Sequence, residues 1–172
     1  VSGTIGDATL GLAVLRGKIG GLNEKYSHFL SSRYHRPEPR ISLGRSLDGL
    51  ANAAIDISDG LIADLGHLAK QSGLSAMVNI NQVPFSQAAI AAFSINNSLK
   101  EQALTGGDDY ELLFTVPKKA AIEVASLSKN LGLLLSNIGK LEHSADDNTD
   151  VVSLLAEDGQ KMPINTGGYR HF

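Results

Sequence analysis

Cysteine and tryptophan are absent from this 172-residue chain, and aromatic residues make up only 5% of it. Without cysteine there are no disulfides and no thiolate metal sites, which fits a cytoplasmic setting. The net charge is -3, so the chain lacks the basic footprint that nucleic acid or an anionic membrane requires. No apolar run approaches the ~20 residues of a membrane-spanning helix. The five histidines (His28, His35, His67, His143 and His171) show no metal-ligand spacing, and no GxSxG elbow marks a nucleophilic serine. The chain opens on VSGTIGDATLGLAVL, with no Met and no basic leader, as if inside a strand. It therefore reads as a piece of a longer protein.

What is present is a hydrophobic content of 42%, enough for one domain with a sizeable core. The pattern predicts helices over 8–15 (capped by Asp7), 22–32, 46–53, 61–71, 86–93 and 120–131. It predicts strands over 54–57, 76–80, 112–116, 133–141 and 151–155. Residues 112–116 are apolar on both faces, which predicts a central strand. HSADDNTD, from residue 143, reads as a polar loop. Strands and helices alternate with hairpin-like pairing near the end, so the expected class is α+β rather than a purely parallel sheet.

Acidic residues concentrate in two places. In AAIDISDG, alternation along a strand sends Ile55 and Ile57 one way and Asp56 and Ser58 the other. Asp59 suits the N-cap of the following helix, where its charge also meets the positive end of the dipole. Capping does not explain Asp56, which interrupts an apolar strand. A carboxylate there is suited to a hard cation, with free helix amides meeting phosphate oxygens. Asp64, a turn and a half further on, is expected to be a solvated helix residue.

The second concentration is ALTGGDDYELLFTV. Gly106 and Gly107 permit a backbone closed to other residues, and Asp108, Asp109 and Glu111 follow directly before a core-like strand. Acids anchored on a rigid strand end suit a cation site, although a solvated loop has the same composition. GTIGDATLGLAVL is a Gly-rich turn opening a helix, but it matches neither GxxxxGK[ST] nor GxGxxG, and a capped turn explains it.

Taken in order, GTIGDATLGLAVL, RPEPR, AAIDISDGLIADLGHLA, ALTGGDDYELLFTVP and the terminal GGYRHF resemble the thiamine-monophosphate kinase family. DISDGL is shared more loosely across the aminoimidazole ribonucleotide synthetase superfamily; GGDDYELLFT and GYRHF point to the thiamine enzymes. The resemblance covers the whole chain but only the C-terminal half of such a kinase. It implies a three-layer α/β/α domain with a mixed, mostly antiparallel, partly ferredoxin-like sheet. The N-terminal domain, with most ATP contacts and further Mg²⁺ aspartates, would lie outside this chain.

The implied reaction moves the γ-phosphoryl of ATP onto thiamine monophosphate, giving thiamine diphosphate, with Mg²⁺ and in a homodimer. Carried over by motif, Asp56 and Asp59 are implied Mg²⁺ ligands and Ser58 an ATP-phosphate contact. Asp108 is implied to contact the thiamine substrate; the family commonly has Glu there, so Asp keeps the charge and shortens the reach by one methylene. Tyr169 and Phe172 match the terminal aromatics, one of which lines the substrate pocket. The competing readings are another ATP-dependent synthetase of the superfamily (aminoimidazole ribonucleotide, selenophosphate or hydrogenase maturation) and a non-catalytic binding domain. The last leaves Asp56 unexplained.

Overall fold

The computed structural model describes residues 1–143, 151–156 and 159–162. Helix α1 (Asp7–Leu15) buries Ala8, Leu10, Gly11 and Ala13, so small side chains let it lie close against α2 (Glu24–His35). Asn23 caps α2 by accepting the Tyr26 amide at 2.8 Å. Leu30 is the one α2 residue buried in full; Tyr26 packs beside the core, and the rest of the helix is polar apart from the exposed Phe29. Helix α5 (Gln87–Ile95), capped by Ser86, and helix α6 (Ser98–Thr105) complete this side. Leu10, Leu30, Ala88, Ala92, Leu99 and Ala103 form its core.

The second core lies under α4 (Leu61–Gln71), whose Leu61, Ile62, Leu65, Leu68 and Ala69 recur on one face and are all buried. They pack on Val78, Leu113, Ile138, Val152 and Leu154 from two sheets. Strands β1 (Ala53–Asp56) and β3 (Leu112–Thr115) pair antiparallel, with Asp56 opposite Leu112. The other sheet has the order β4 (Gly139–Glu142), β2 (Ser75–Asn79), β5 (Val152–Leu155), β6 (Lys161–Met162). Only β2 and β5 run parallel. The expected mixed, mostly antiparallel pairing is thus present, divided between two sheets. No helix among the described residues is long and apolar enough to cross a membrane.

Four local expectations change. The helix expected at 46–53 is α3 (Ile41–Ser46) followed by turn. The Leu43, Leu47, Leu50 spacing continues a helical period, but Gly49 at φ +71° ends it and the chain is extended by Ala53. Helix α6 was not expected, because its polar sequence has few apolar positions; Leu99, Ala103 and Leu104 are nonetheless buried. Strand β3 is not central: among the described residues it pairs with β1 alone, and only Leu113 is buried. Its apolar outer face is covered in part by α3, where Leu112 reaches Gly44. Lastly, the stretch 133–141 forms a strand only from Gly139, with Leu135 bridging Ser2. Helix α7 (Ala121–Leu131) is as expected and closes with Gly132 at φ +60°.

Candidate functional site

The pairing of β1 with β3 continues beyond Asp56 into both acidic stretches. The Ile57 amide donates to the Glu111 carbonyl (2.8 Å), while the Tyr110 amide donates to the Ile57 carbonyl (2.9 Å). Two residues therefore face one, a β-bulge whose left-handed position (φ +51°) holds Tyr110 where glycine is usual. Asp108, at φ +71°, donates its amide to the Ser58 carbonyl at 3.0 Å. The approach is close enough that a Cβ on Gly107 would collide with the Ser58 carbonyl oxygen. Gly60, at φ +119°, packs in the same way against the Thr105 carbonyl. Thr9 of α1 donates its hydroxyl to the Gly107 carbonyl at 3.0 Å. Two segments distant in sequence are thus joined backbone to backbone, and α1 is tied to them through the Thr9 side chain.

The acids in this junction divide into two kinds. Asp64, Asp109, Asp7 and Glu111 are buried and hydrogen-bonded. Asp64 Oδ2 accepts the amides of Ser58 (3.0 Å), Asp59 (3.0 Å) and Gly60 (3.1 Å). Asp64 is therefore not the solvated helix residue expected, being 3% exposed. Nor does Asp59 cap α4: Gly60 holds that position, and no side chain of the N-cap residue bonds the helix. The reason is directional, since helical side chains lean toward the N-terminus and Asp64 reaches back over the turn that precedes it. The amides of the turn leading into α4 are thus occupied, whereas those of Leu61, Ile62 and Ala63 in the first turn of the helix are not bound by this carboxylate.

Asp109 repeats this device at α1, accepting the Gly6 amide at 2.6 Å and the Ala8 amide at 3.1 Å. Burial pushes its carboxyl up to about 7, against the downward pull of those two hydrogen bonds. Asp7, expected as a cap, is instead the first residue of α1 and accepts the hydroxyls of Thr4 and Ser86, both at 2.5 Å. Burial raises Asp7 and Asp64 above the usual carboxylate range as well. Glu111 is fully buried and takes Arg40 bidentately (2.7 and 2.6 Å), Arg33 (2.8 Å) and the Ser2 hydroxyl (2.5 Å).

Asp56, Asp59 and Asp108 are the other kind. None of their carboxylates has a hydrogen bond or ion pair among the described residues; Asp56 and Asp108 are exposed and Asp59 half-buried. Asp56 lines an open cleft of about 520 Å³ with Pro37, Arg40, Ile41, Tyr110 and Leu112. Asp59 and Asp108 are not among its lining residues. Ser58 is half-buried beside them. No three His, Asp or Glu among the described residues are grouped to hold a metal. Mg²⁺ takes one or two carboxylates and keeps several waters, so unpaired hard oxygens at Asp56 and Asp59 fit its chemistry without a closed cage. Tyr169, Phe172 and most of the 143–150 loop lie outside the described residues.

Sequence reasoning missed Tyr110, Arg33 and Arg40. Arg40 and Glu111 are 71 residues apart, and no local pattern announces such a pair. Tyr110 is identifiable only by its backbone angle.

Comparison with known proteins follows the same lines. A curated thiamine-monophosphate kinase of Salmonella typhimurium is 41% identical over 175 residues, covering all of this chain and 51% of that protein. The chain thus spans about half the length of the curated relatives it matches. The crystal structure of thiamine-monophosphate kinase from Stenotrophomonas maltophilia K279a matches with a TM-score of 0.80 at 35% identity, over 94% of this chain and 50% of that one. AaThiL complexed with AMPPCP and TMP matches with a TM-score of 0.77 at 34% identity, over 99% of this chain and 50% of that one. The family described as AIR synthase related protein, C-terminal domain, matches residues 21–152, and the chain belongs to it.

Proposed function

We propose that this chain is the C-terminal half of an ATP-dependent thiamine-monophosphate kinase, its N-terminal domain lying outside these 172 residues. The observation that carries this reading is identity spread over the whole chain with the relatives of that name, rather than one shared motif. AaThiL complexed with AMPPCP and TMP supplies the substrate pair for the proposal, ATP and thiamine monophosphate. In the reaction, a phosphate oxygen of thiamine monophosphate forms a bond to the terminal phosphorus of ATP. The bond from that phosphorus to the bridging oxygen breaks, leaving ADP and thiamine diphosphate.

The proposed roles follow the division of the acids. Asp56 and Asp59, unpaired and accessible, hold Mg²⁺; Ser58, between them, donates to a phosphate oxygen of ATP. Mg²⁺, when bound, offsets the repulsion between the two sets of phosphate oxygens. Asp108 faces the cationic thiamine ring system, to which Tyr169 or Phe172 offers an aromatic face. The reading extends to a cytoplasmic homodimer. The test is the full-length protein with MgATP and thiamine monophosphate, followed for thiamine diphosphate. No product refutes the assignment. Asp56→Asn is expected to depress turnover sharply at unchanged melting temperature; wild-type turnover removes Asp56 from the site. Light scattering of the full-length protein checks the dimer.

A further inference from the structure

Three successive amides at the N-terminus of a helix are the arrangement that commonly cradles a phosphate. Here the three amides just ahead of α4 are taken by the protein's own carboxylate. Asp64 Oδ2 lies 3.0, 3.0 and 3.1 Å from the amide nitrogens of Ser58, Asp59 and Gly60, and the residue is 3% exposed. The turn carrying the unpaired acids is therefore held from inside. Gly60, at φ +119° against the Thr105 carbonyl, fixes its other side. Asp109 closes the N-terminus of α1 in the same way. An internal carboxylate thus sits beside each of the two helix N-termini that meet at this junction.

We propose that Asp64 is a positioning residue: it holds the turn of residues 58–60 by its three amides and presets the Asp56 and Asp59 carboxylates to hold a divalent cation. Phosphate oxygens at this turn are then met through that cation and the Ser58 hydroxyl, not by the amides of residues 58–60. The inference rests on the reading of Asp56 and Asp59 as cation ligands, and its test separates the two. Neither the unpaired carboxylates nor the buried one carries the inference alone. Together they form a turn whose donors are consumed and whose acceptors are left over, which is the reverse of a phosphate cradle.

The experiment measures Mn²⁺ affinity of the full-length protein by electron paramagnetic resonance, with Mn²⁺ alone as the probe. Four proteins are compared: wild type, Asp56→Asn, Asp64→Asn and Ser86→Ala. Removing an outer partner of a metal ligand typically costs about tenfold to a hundredfold in metal affinity, and Asp64→Asn should do so. Ser86→Ala loses the α5 cap and its bond to Asp7, so it lowers the melting temperature without changing Mn²⁺ affinity. Lost affinity in Asp56→Asn with wild-type affinity in Asp64→Asn overturns the positioning role alone. Wild-type affinity in Asp56→Asn overturns the ligand assignment and the inference with it. If Asp64→Asn does not fold, hydrogen exchange on the wild type decides. The amides of residues 58–60 should be protected in metal-free, nucleotide-free protein. Rapid exchange there, slowed only by adding MgAMPPCP, overturns the inference.

Discussion

Glu111→Gln removes the charge at the centre of the most heavily bonded side chain in the junction while keeping its volume. In the native protein Glu111 is fully buried and accepts two bonds from Arg40, one from Arg33 and one from Ser2. Deleting one partner of a buried ion pair costs about 3–5 kcal/mol, because the other charge stays buried. Here Arg33 and Arg40 are 15% and 12% exposed, so water reaches them and the lower figure applies. Arg40 also keeps Glu38 at 2.9 Å, a mostly exposed partner that contributes little. A loss of about 3 kcal/mol corresponds to a melting temperature lower by about 6–12 °C when a domain of this size melts as its own transition, and by roughly half that when both halves of the full-length protein melt together. Differential scanning calorimetry of the full-length protein measures it. Arg40→Gln, alone and combined with Glu111→Gln, completes a cycle in which the double variant should lose much less than the sum of the singles. A shift below about 2 °C, or simple additivity, would refute the view that Glu111 ties residues 33–40 to the β3 end of the site.

Other outcomes follow from the same geometry. Because the folded carboxyl of Asp109 is raised to about 7, its contribution is complete below the unfolded value of 3.8 and is lost as pH climbs through 7. The melting temperature of wild type relative to Asp109→Asn should therefore fall between pH 4 and 8, and parallel profiles would contradict it. Gly107→Ala sets a methyl against the Ser58 carbonyl, with no side chain able to yield, and should cost at least about 2 kcal/mol together with turnover; urea denaturation and the kinase assay read both. Tyr110→Gly relieves about 1–2 kcal/mol of left-handed strain but adds about 0.4–1 kcal/mol of unfolded-state entropy, so stability should hold or rise slightly. A destabilisation above about 1 kcal/mol would show that the Tyr110 ring packs more than its 40% exposure implies. Finally, the 172-residue chain alone is expected to turn over no thiamine monophosphate; ordinary turnover would sink the two-half reading.

Local physics carried much of the fold into view. Helix α4 was legible because Leu61, Leu65 and Leu68 recur at helical spacing over a run long enough to outweigh noise, and α7 for a similar reason. Strands β1, β2 and β5 were legible from short apolar or alternating runs. Helix α6 was not, since a short polar helix draws its stability from tertiary packing of Leu99, Ala103 and Leu104 rather than from its own pattern. The position of β3 was misjudged because apolarity on both faces signals burial without saying what buries it; here a single residue, Ser2, meets its second edge by bonding the amide and carbonyl of Leu112, in place of a full strand neighbour.

By itself the sequence determined the α+β class, the two acidic stretches at strand ends, and the order of motifs that marks the family. Which acids are free was decided only by the tertiary structure. A carboxylate's role depends on whether donors surround it, and those donors come from far along the chain: Gly6 and Ala8 for Asp109, Arg33 and Arg40 for Glu111. Even for Asp64, whose donors are four to six residues away, the outcome turned on the Ser58–Gly60 turn taking one particular shape against Thr105 and Gly107. Composition counts charges, whereas packing decides which of them remain available to bind.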